Sequence, residues 1–218
     1  MFIDDGGVLN DNERRALEWR RLLGEYLPPR LGGTPEAWSR ANVGAFERSL
    51  ARYMERAKPE HGFRGLEAWM RADRVEWLRD MCVQVGVALP PEAEAFAVAT
   101  GAWVSEHVRA DIPGAVEAVN RLAEGGFHLN MASGTISWEL APTLRGMGIR
   151  ERFDRLYGPD LVDTAKNGPH YFEAILTDSR TDPRAAVVVD DSVDARAWAS
   201  AAGLRSYASL SELTAALG

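Results

Sequence analysis

The 218-residue sequence is poor in cysteine and lysine and has no long apolar run. Its single cysteine, Cys82, has no partner for an intramolecular disulfide, and we expect it to be a small core residue of a helix. No apolar run approaches the roughly 18 residues that cross a bilayer. The N-terminus also lacks the basic region and apolar core of a signal peptide. These absences predict a cytoplasmic protein with no membrane partner.

Positive charge is scarce as well. The formal net charge is -7 and the pI is about 5.2, whereas a nucleic-acid-binding domain needs a basic surface, so nucleic acid is not an expected partner. Only Lys58 and Lys166 among the 25 basic residues are lysines. A bias towards arginine explains most of this pattern. Because an ammonium and a guanidinium do different chemistry, Lys166 is nevertheless a candidate functional residue.

The first half of the chain predicts one short strand followed by a helical block. The apolar run Met1-Phe2-Ile3 predicts a strand that ends at Asp4, and the glycines that follow predict a tight turn. Only three residues precede Asp4, so either this strand is short or the sequence begins late. Helical spacing then continues to about residue 110. Helices are predicted over residues 12–27, from Thr34-Pro35 onward, and over 66–85 and 91–108.

After Asp111 helices and strands alternate. Helices are predicted over 113–123, 136–147, 169–176 and 193–202, and strands over 127–132, 155–158 and 185–189. Continuous apolar strands separated by helices are typical of a parallel sheet that is covered on both faces. We therefore predict an α/β fold with a doubly wound, Rossmann-like parallel sheet in residues 1–11 and 111–218. We also predict an all-helical domain inserted at residues 12–110.

Polar side chains follow the predicted strands where they end. Asp4 ends the first strand, Ser133 follows the second, and Asp190 and Asp191 follow the strongest apolar run. In open α/β sheets, ligands bind at the carboxyl ends of the strands. We therefore expect these residues to lie together, with Lys166 in a nearby loop. A carboxylate nucleophile, a hydroxyl, a cation and paired acids form the layout of a phosphoryl-transfer site.

Motifs on both sides of the helical block carry a family resemblance. They are FIDDGGVL at residues 2–9, IPG at 112–114, SG at 133–134, KNGP at 166–169, and VDDS at 189–192 continuing to Ala202-Gly203. Together they resemble the haloacid dehalogenase superfamily. The resemblance is to the subgroup with a helical cap inserted after the first motif, which includes phosphoglycolate phosphatase-like, β-phosphoglucomutase-like and haloacid dehalogenase-like proteins. Each motif alone is weak, but their order and spacing are specific.

The resemblance implies a role for each motif residue. Asp4 would be the catalytic nucleophile and form an aspartyl-phosphate. Ser133 and the backbone of Gly134 would bind phosphate oxygens, while Lys166 would neutralise the nucleophile and the transferring group. The implied Mg²⁺ ligands are the Asp4 carboxylate, the Gly6 carbonyl, Asp190 and Asp191. We therefore expect a Mg²⁺-dependent phosphatase that acts on a small phosphorylated metabolite, as a monomer or homodimer.

Two of these groups also have a plainer interpretation. Ser133 could cap the helix that begins near Ile136. Asp190 and Asp191 could belong to a solvated loop that caps the next helix. The sequence leaves both alternatives open.

Gly6 departs from the family pattern. Phosphatases of this superfamily commonly carry an aspartate at this position, which protonates the leaving group and later activates water. Glycine removes that acid, and a positioned proton donor contributes roughly 10²–10⁴-fold in rate. A substrate with a stable leaving group would tolerate the loss. Asp5 is adjacent but is expected to point to the other sheet face, and the other candidate acids are Asp11, Glu13, His61 and His170.

Two other classes of function remain open. A hydrolytic 2-haloacid dehalogenase would use Asp4 as its nucleophile and need no proton donor, but it gains nothing from the Asp190-Asp191 pair. A variant of this first class, cleavage of a carbon–phosphorus bond, would require Lys58 to reach the site. The second of these classes is a catalytically weak or silent binding module, which only Gly6 favours. Substrate choice is expected to reside in the cap.

Overall fold

The computed structural model describes residues 1–58 and 65–217. The strands are β1 (Phe2–Ile3), β2 (Leu129–Ala132), β3 (Phe153–Tyr157), β4 (Val187–Val189) and β5 (Arg205–Tyr207). The helices are α1 (Asn12–Tyr26), α2 (Pro28–Leu31), α3 (Pro35–Arg56), α4 (Leu66–Val85), α5 (Ala93–His107), α6 (Ala115–Glu124), α7 (Ser137–Gly146), α8 (Pro169–Ser179), α9 (Val193–Ala201) and α10 (Leu210–Leu217). Among these helices, none has the length and apolar character that a bilayer span requires.

The five strands form one parallel sheet in the order β3-β2-β1-β4-β5. Strand β1 is central, with Ile3 paired to Met131 on one side and to Val189 on the other. These three side chains belong to one buried cluster, and Phe2 belongs to a second cluster on the opposite face. The chain therefore has an α/β fold with a doubly wound parallel sheet, as predicted.

Several element boundaries differ from the predictions. Strand β2 begins at Leu129 rather than at residue 127, because Gly126 adopts a left-handed turn (φ 82°) that leaves Phe127 41% exposed. Strand β4 begins at Val187, since Pro183–Ala185 forms a short 3₁₀ turn capped by the Asp182 side chain. Helix α8 extends to Ser179, beyond the predicted end at residue 176. Strand β5 and helix α10 were not predicted.

Helices α1–α5 form the helical block and share a hydrophobic cluster of their own. Its largest members are Trp38 and Trp77, both buried, and Trp77 Nε1 donates a hydrogen bond to Asn42 Oδ1 at 3.0 Å. Cys82 is buried in the same cluster, which confirms the prediction of a core thiol. The division into domains at residues 11 and 111 stays a prediction.

The block packs against the sheet domain through α5 and α7. Gly146 of α7 lies so close to α5 that a Cβ atom there would be 2.2 Å from the Glu106 carbonyl oxygen. Arg74 of α4 and Glu139 of α7 form an ion pair across the same boundary, with side chains 18% and 9% exposed. The helical block therefore contacts the sheet domain along α4, α5 and α7.

Candidate active site

Asp4, Ser133 and Asp190 each continue a strand by one residue. The backbone N–H of Asp4 donates to Val189 O at 2.9 Å, that of Ser133 to Tyr157 O at 3.0 Å, and that of Asp190 to Tyr207 O at 3.0 Å. The sheet hydrogen bonds thus persist just past the carboxyl ends of β1, β2 and β4. This holds the three side chains at one edge of the sheet, as the sequence predicted.

Lys166 contacts both Asp4 and Asp190. Its Nζ lies 2.9 Å from Asp4 Oδ1 and 2.6 Å from Asp190 Oδ2, and it donates a hydrogen bond to Ala132 O at 2.8 Å. The side chains are almost enclosed, with 8% of Lys166, 12% of Asp4 and 1% of Asp190 exposed. Two carboxylates therefore share one buried ammonium group.

This arrangement shifts the proton equilibria of the site. Burial raises the pKa of Asp4 to about 6; the nearby Lys166 charge opposes the shift and Asp190 adds to it. Burial alone would lower the pKa of Lys166, but the charges of Asp4 and Asp190 outweigh it and raise that pKa. The lysine therefore stays positively charged at neutral pH, whereas the ionised form of Asp4 is energetically unfavourable in this buried site.

Asp191 completes a group that can hold a cation. Asp4, Asp190 and Asp191 each offer a ligand oxygen, and these atoms all lie within 4.8 Å of one another. Asp190 Oδ2 is buried, and its charged partner is Lys166 Nζ at 2.6 Å. Three carboxylates whose oxygens converge in this way fit a hard divalent cation such as Mg²⁺.

The turn after Asp4 makes room for this cluster. Gly7 has φ 77°, and a Cβ atom there would lie 2.1 Å from Asp191 Oδ2. A side chain at residue 7 would therefore displace Asp191 from the cluster. Gly6 forms a bridge with Asn10 in the same turn, and its predicted role as a carbonyl ligand stays a prediction.

Ser133 and Gly134 lie at the end of β2. Ser133 Oγ accepts a hydrogen bond from Thr135 N at 3.1 Å, so it stabilises the turn. It does not cap helix α7, whose N-cap is Ile136, so that alternative was wrong. Apart from its two chain neighbours, no described residue has a heavy atom within 4 Å of where a Gly134 Cβ would be, which leaves its backbone open to a ligand.

Tyr171 supports this turn from below. Its buried hydroxyl lies 2.8 Å from Tyr157 O and 3.1 Å from Ser133 O. The sequence analysis did not identify this residue. Its position five residues after Lys166, on the helix that follows the KNGP motif, is the signal that could have found it.

A second polar network, which the sequence analysis missed, lies beside the same turn. Asp5 is 1% exposed, accepts a hydrogen bond from Asn10 Nδ2 at 2.7 Å and forms an ion pair with Arg15 of α1. Arg15 also donates to Asn12 Oδ1 at 2.7 Å. Asp5 is not part of the acidic cluster, in line with its expected orientation away from Asp4.

A cavity of about 580 Å³ adjoins this network, between the helical block and the sheet domain. Its walls include Trp19, Phe46 and Trp77, and its basic groups are Arg15, Arg20 and Arg74. Asp5 and Thr135 also line it, whereas Asp4, Ser133 and Lys166 do not. The cavity therefore lies beside the acidic cluster and does not enclose it.

The other candidate residues are placed differently. Asp11 accepts a hydrogen bond from Arg14 N at 2.9 Å as the N-cap of α1, and Glu13 is exposed in the first turn. His170 lies in the first turn of α8, with its ring against Gly168. Lys58 is exposed and pairs with Glu55 at 2.5 Å. His61 lies outside the described residues.

The same fold occurs in solved structures of haloacid dehalogenases and related enzymes. An L-2-haloacid dehalogenase from Xanthobacter autotrophicus matches with a TM-score of 0.58 and 15% identity, over 94% of this chain and 74% of the other. Another L-2-haloacid dehalogenase matches with a TM-score of 0.66 and 18% identity, over 94% and 81%. A HAD family enzyme from Bacteroides thetaiotaomicron matches with a TM-score of 0.59 and 16% identity, over 94% and 90%. At these identities the likeness shows the fold alone.

The sequence matches no curated protein. The family model described as haloacid dehalogenase-like hydrolase matches residues 6–203, most of the chain. The chain therefore belongs to the haloacid dehalogenase-like hydrolases.

Proposed function

We propose that this hydrolase is a Mg²⁺-dependent phosphatase that acts on a small phosphorylated metabolite. The observation that carries the proposal is the convergence of Asp4, Asp190 and Asp191, whose oxygens lie within 4.8 Å of one another, with Lys166 paired to the first two. With all three carboxylates ionised, the four groups carry a net charge of about -2. Such a site repels an anionic substrate unless a divalent cation neutralises it.

Asp4 is the group best placed to attack phosphorus. Its carboxylate lies at the end of the central strand, and one oxygen is held by Lys166 at 2.9 Å. The Lys166 ammonium stabilises negative charge on the nucleophile and on the transferring phosphoryl group. Bound Mg²⁺, held by Asp4, Asp190 and Asp191, would supply further positive charge beside the phosphoryl oxygens.

The reaction would proceed in two displacements. In the first, an Asp4 oxygen forms a bond to phosphorus, the bond from phosphorus to the leaving oxygen breaks, and its electron pair departs with that oxygen. In the second, water attacks phosphorus and the bond to Asp4 breaks, which regenerates the carboxylate and releases phosphate. The Ser133 hydroxyl and the backbone of Ser133-Gly134 would bind phosphoryl oxygens in both steps.

The test is a screen of phosphorylated metabolites and 2-haloacids with and without Mg²⁺. We expect Mg²⁺-dependent phosphate release, abolished in Asp4→Asn. A matched control is Asp182→Asn, since Asp182 is an aspartate near the start of β4 that pairs with Arg184 on the surface. Full activity of Asp4→Asn, or turnover unaffected by a chelator, would contradict the proposal. Absence of turnover on all substrates would favour the binding-module reading.

A second candidate function is hydrolysis of a 2-haloacid. Two observations favour it. Several matched solved structures are L-2-haloacid dehalogenases. In addition, Gly6 stands where an acid is usual, and a halide leaving group needs no acid. The same Asp4 would then attack carbon. Chelator-insensitive halide release in the same screen would decide for this function.

A further inference from the structure

Gly6 does not leave a void beside the nucleophile, because the side chains of Asn12 and Arg15 occupy the space. A Cβ atom on Gly6 would lie 2.6 Å from Asn12 Oδ1 and 3.1 Å from Arg15 NH2. Both of those side chains come from the start of α1 and line the 580 Å³ cavity. The direction in which a residue-6 side chain would extend is therefore taken by the Asn12 amide, with the Arg15 guanidinium group beside it.

The guanidinium group of Arg15 is held in place on two sides. NH1 pairs with Asp5, which is buried and fixed by Asn10, and NH2 donates to Asn12 Oδ1 at 2.7 Å. Within residues 1–58 and 65–217, these contacts use two of the five N–H donors of Arg15. Its side chain is 26% exposed, so the remaining donors can reach a ligand in the cavity.

The cavity is the space available to the non-reacting part of a substrate. It borders the turn that carries Asp4, and Asp5 and Arg15 lie on its wall at that turn. A phosphoryl group at Asp4 with its organic part in the cavity would place the connecting oxygen towards Arg15. Aromatic side chains such as Trp19 and Phe46 would contact the organic part.

We propose that Arg15 binds the leaving group and stabilises the negative charge that develops on its oxygen. The inference rests on the proposed phosphatase function and narrows its substrate class. As the bond from phosphorus to oxygen breaks, the electron pair stays on the leaving oxygen beside the guanidinium group. A guanidinium group does not give up a proton at neutral pH. The leaving group therefore departs as an anion, which favours acyl, aryl and enol phosphates over alkyl phosphates.

The test compares leaving groups of different basicity in wild type, Arg15→Ala and Arg15→Lys. The substrates are phenyl, para-nitrophenyl and dinitrophenyl phosphate, and kcat/KM is measured because it reports the step that releases the leaving group. We expect Arg15→Ala to lower kcat/KM for phenyl phosphate about 10²-fold, as loss of one charge-stabilising donor does. The loss should be smaller for para-nitrophenyl phosphate and smallest for dinitrophenyl phosphate. The kcat/KM of Arg15→Ala should therefore depend more steeply on leaving-group pKa than that of the wild type. Arg15→Lys should restore part of the rate.

Arg21→Ala is the matched control, since Arg21 is on the same helix but pairs with Glu18 and Glu25 at the surface. It should leave the series unchanged. If Arg15→Ala unfolds because Asp5 loses its partner, the double variant Asp5→Asn/Arg15→Gln removes both charges and is tested in its place. A uniform loss across the series, or no loss, overturns the role of Arg15 and leaves the phosphatase proposal standing. Absence of Mg²⁺-dependent phosphate release by the wild type overturns both.

Discussion

Removing the charge of Asp4 should stabilise the metal-free protein. Asp4 and Asp190 share the ammonium of Lys166, and burial raises the pKa of Asp4 to about 6 from an ordinary 3.8. A difference of about two pKa units corresponds to roughly 3 kcal/mol of unfavourable free energy for the ionised form at neutral pH. Asp4→Asn keeps the shape and an oxygen acceptor for Lys166. In a chelator, the free energy of unfolding of Asp4→Asn should therefore exceed that of the wild type by up to about 3 kcal/mol.

The pH dependence follows from the direction of the shift. Between about pH 4 and pH 6, the folded wild type binds more protons at Asp4 than the unfolded chain does. The free energy of unfolding of the wild type therefore falls with rising pH in this window, relative to Asp4→Asn. The stabilising contribution of protonated Asp4 is fully present below pH 4 and is lost as the pH passes through about 6. The advantage of the variant should reach its full size above that pH.

Mg²⁺ should reverse the order. A ligand that binds only the folded state stabilises it by about 4.1 kcal/mol at one thousand times its dissociation constant, which exceeds the advantage of about 3 kcal/mol that the variant has in chelator. Asp4→Asn lacks one of the three carboxylates and should gain much less than the wild type. Urea unfolding in chelator and in saturating Mg²⁺ measures both effects.

Asp191→Asn separates the two effects. Asp191 belongs to the same cluster but is exposed, so the variant should change little in chelator while losing the Mg²⁺ response. The reasoning is refuted if Asp4→Asn is less stable than the wild type in chelator at pH 7 and above. It is equally refuted if Mg²⁺ stabilises the wild type and Asp4→Asn alike.

Three further substitutions test the surroundings of the site. Gly7→Ala places a Cβ atom against Asp191 in a left-handed backbone, so it should cost about 1–2 kcal/mol and abolish Mg²⁺ stabilisation in thermal unfolding. Gly146→Ala forces α7 away from the Glu106 carbonyl and should destabilise the protein by more than 1 kcal/mol, measured by urea unfolding; an unchanged midpoint would contradict this packing. Tyr171→Phe removes the buried hydroxyl beneath the turn at residue 133, so it should cost about 1–3 kcal/mol and lower kcat, whereas wild-type values would deny it this supporting role.

The sequence predicted the parts of the fold whose signals are local. Thr34 accepts a hydrogen bond from Ala37 N, so the threonine–proline start of α3 was readable from two residues. Strand β4 is three consecutive valines, the apolar run of a strand buried on both faces. Strand β5 has no such run: within it, Arg205 is exposed and Ser206 and Tyr207 are only half-buried, because the strand lies at the edge of the sheet. Its short, polar sequence does not distinguish it from a loop.

The candidate site shows the same division. Asp4, Ser133 and Asp190 follow apolar runs, and the geometry of parallel strands is enough to bring them together. The partnership of Asp5 with Arg15 could not be read in this way, because Arg14 and Arg15 are adjacent in the sequence and only the fold decides which one turns inward. The cavity was unpredictable for a related reason, since its walls come from helices far apart in the chain.

The four residues after β1 divide the site into two sides of opposite character. Asp4 turns towards Lys166 and the acidic cluster, whereas Asp5 turns towards Arg15 and the cavity. Each glycine that follows clears space on one side: Gly7 for the carboxylate of Asp191, and Gly6 for the side chains of Asn12 and Arg15. A carboxylate at residue 6 would meet Arg15 and be held in its charged form, which is a poor proton donor. Glycine at this position is therefore consistent with a leaving group stabilised by a cation, and Gly6→Asp alone should not restore acid catalysis while Arg15 remains.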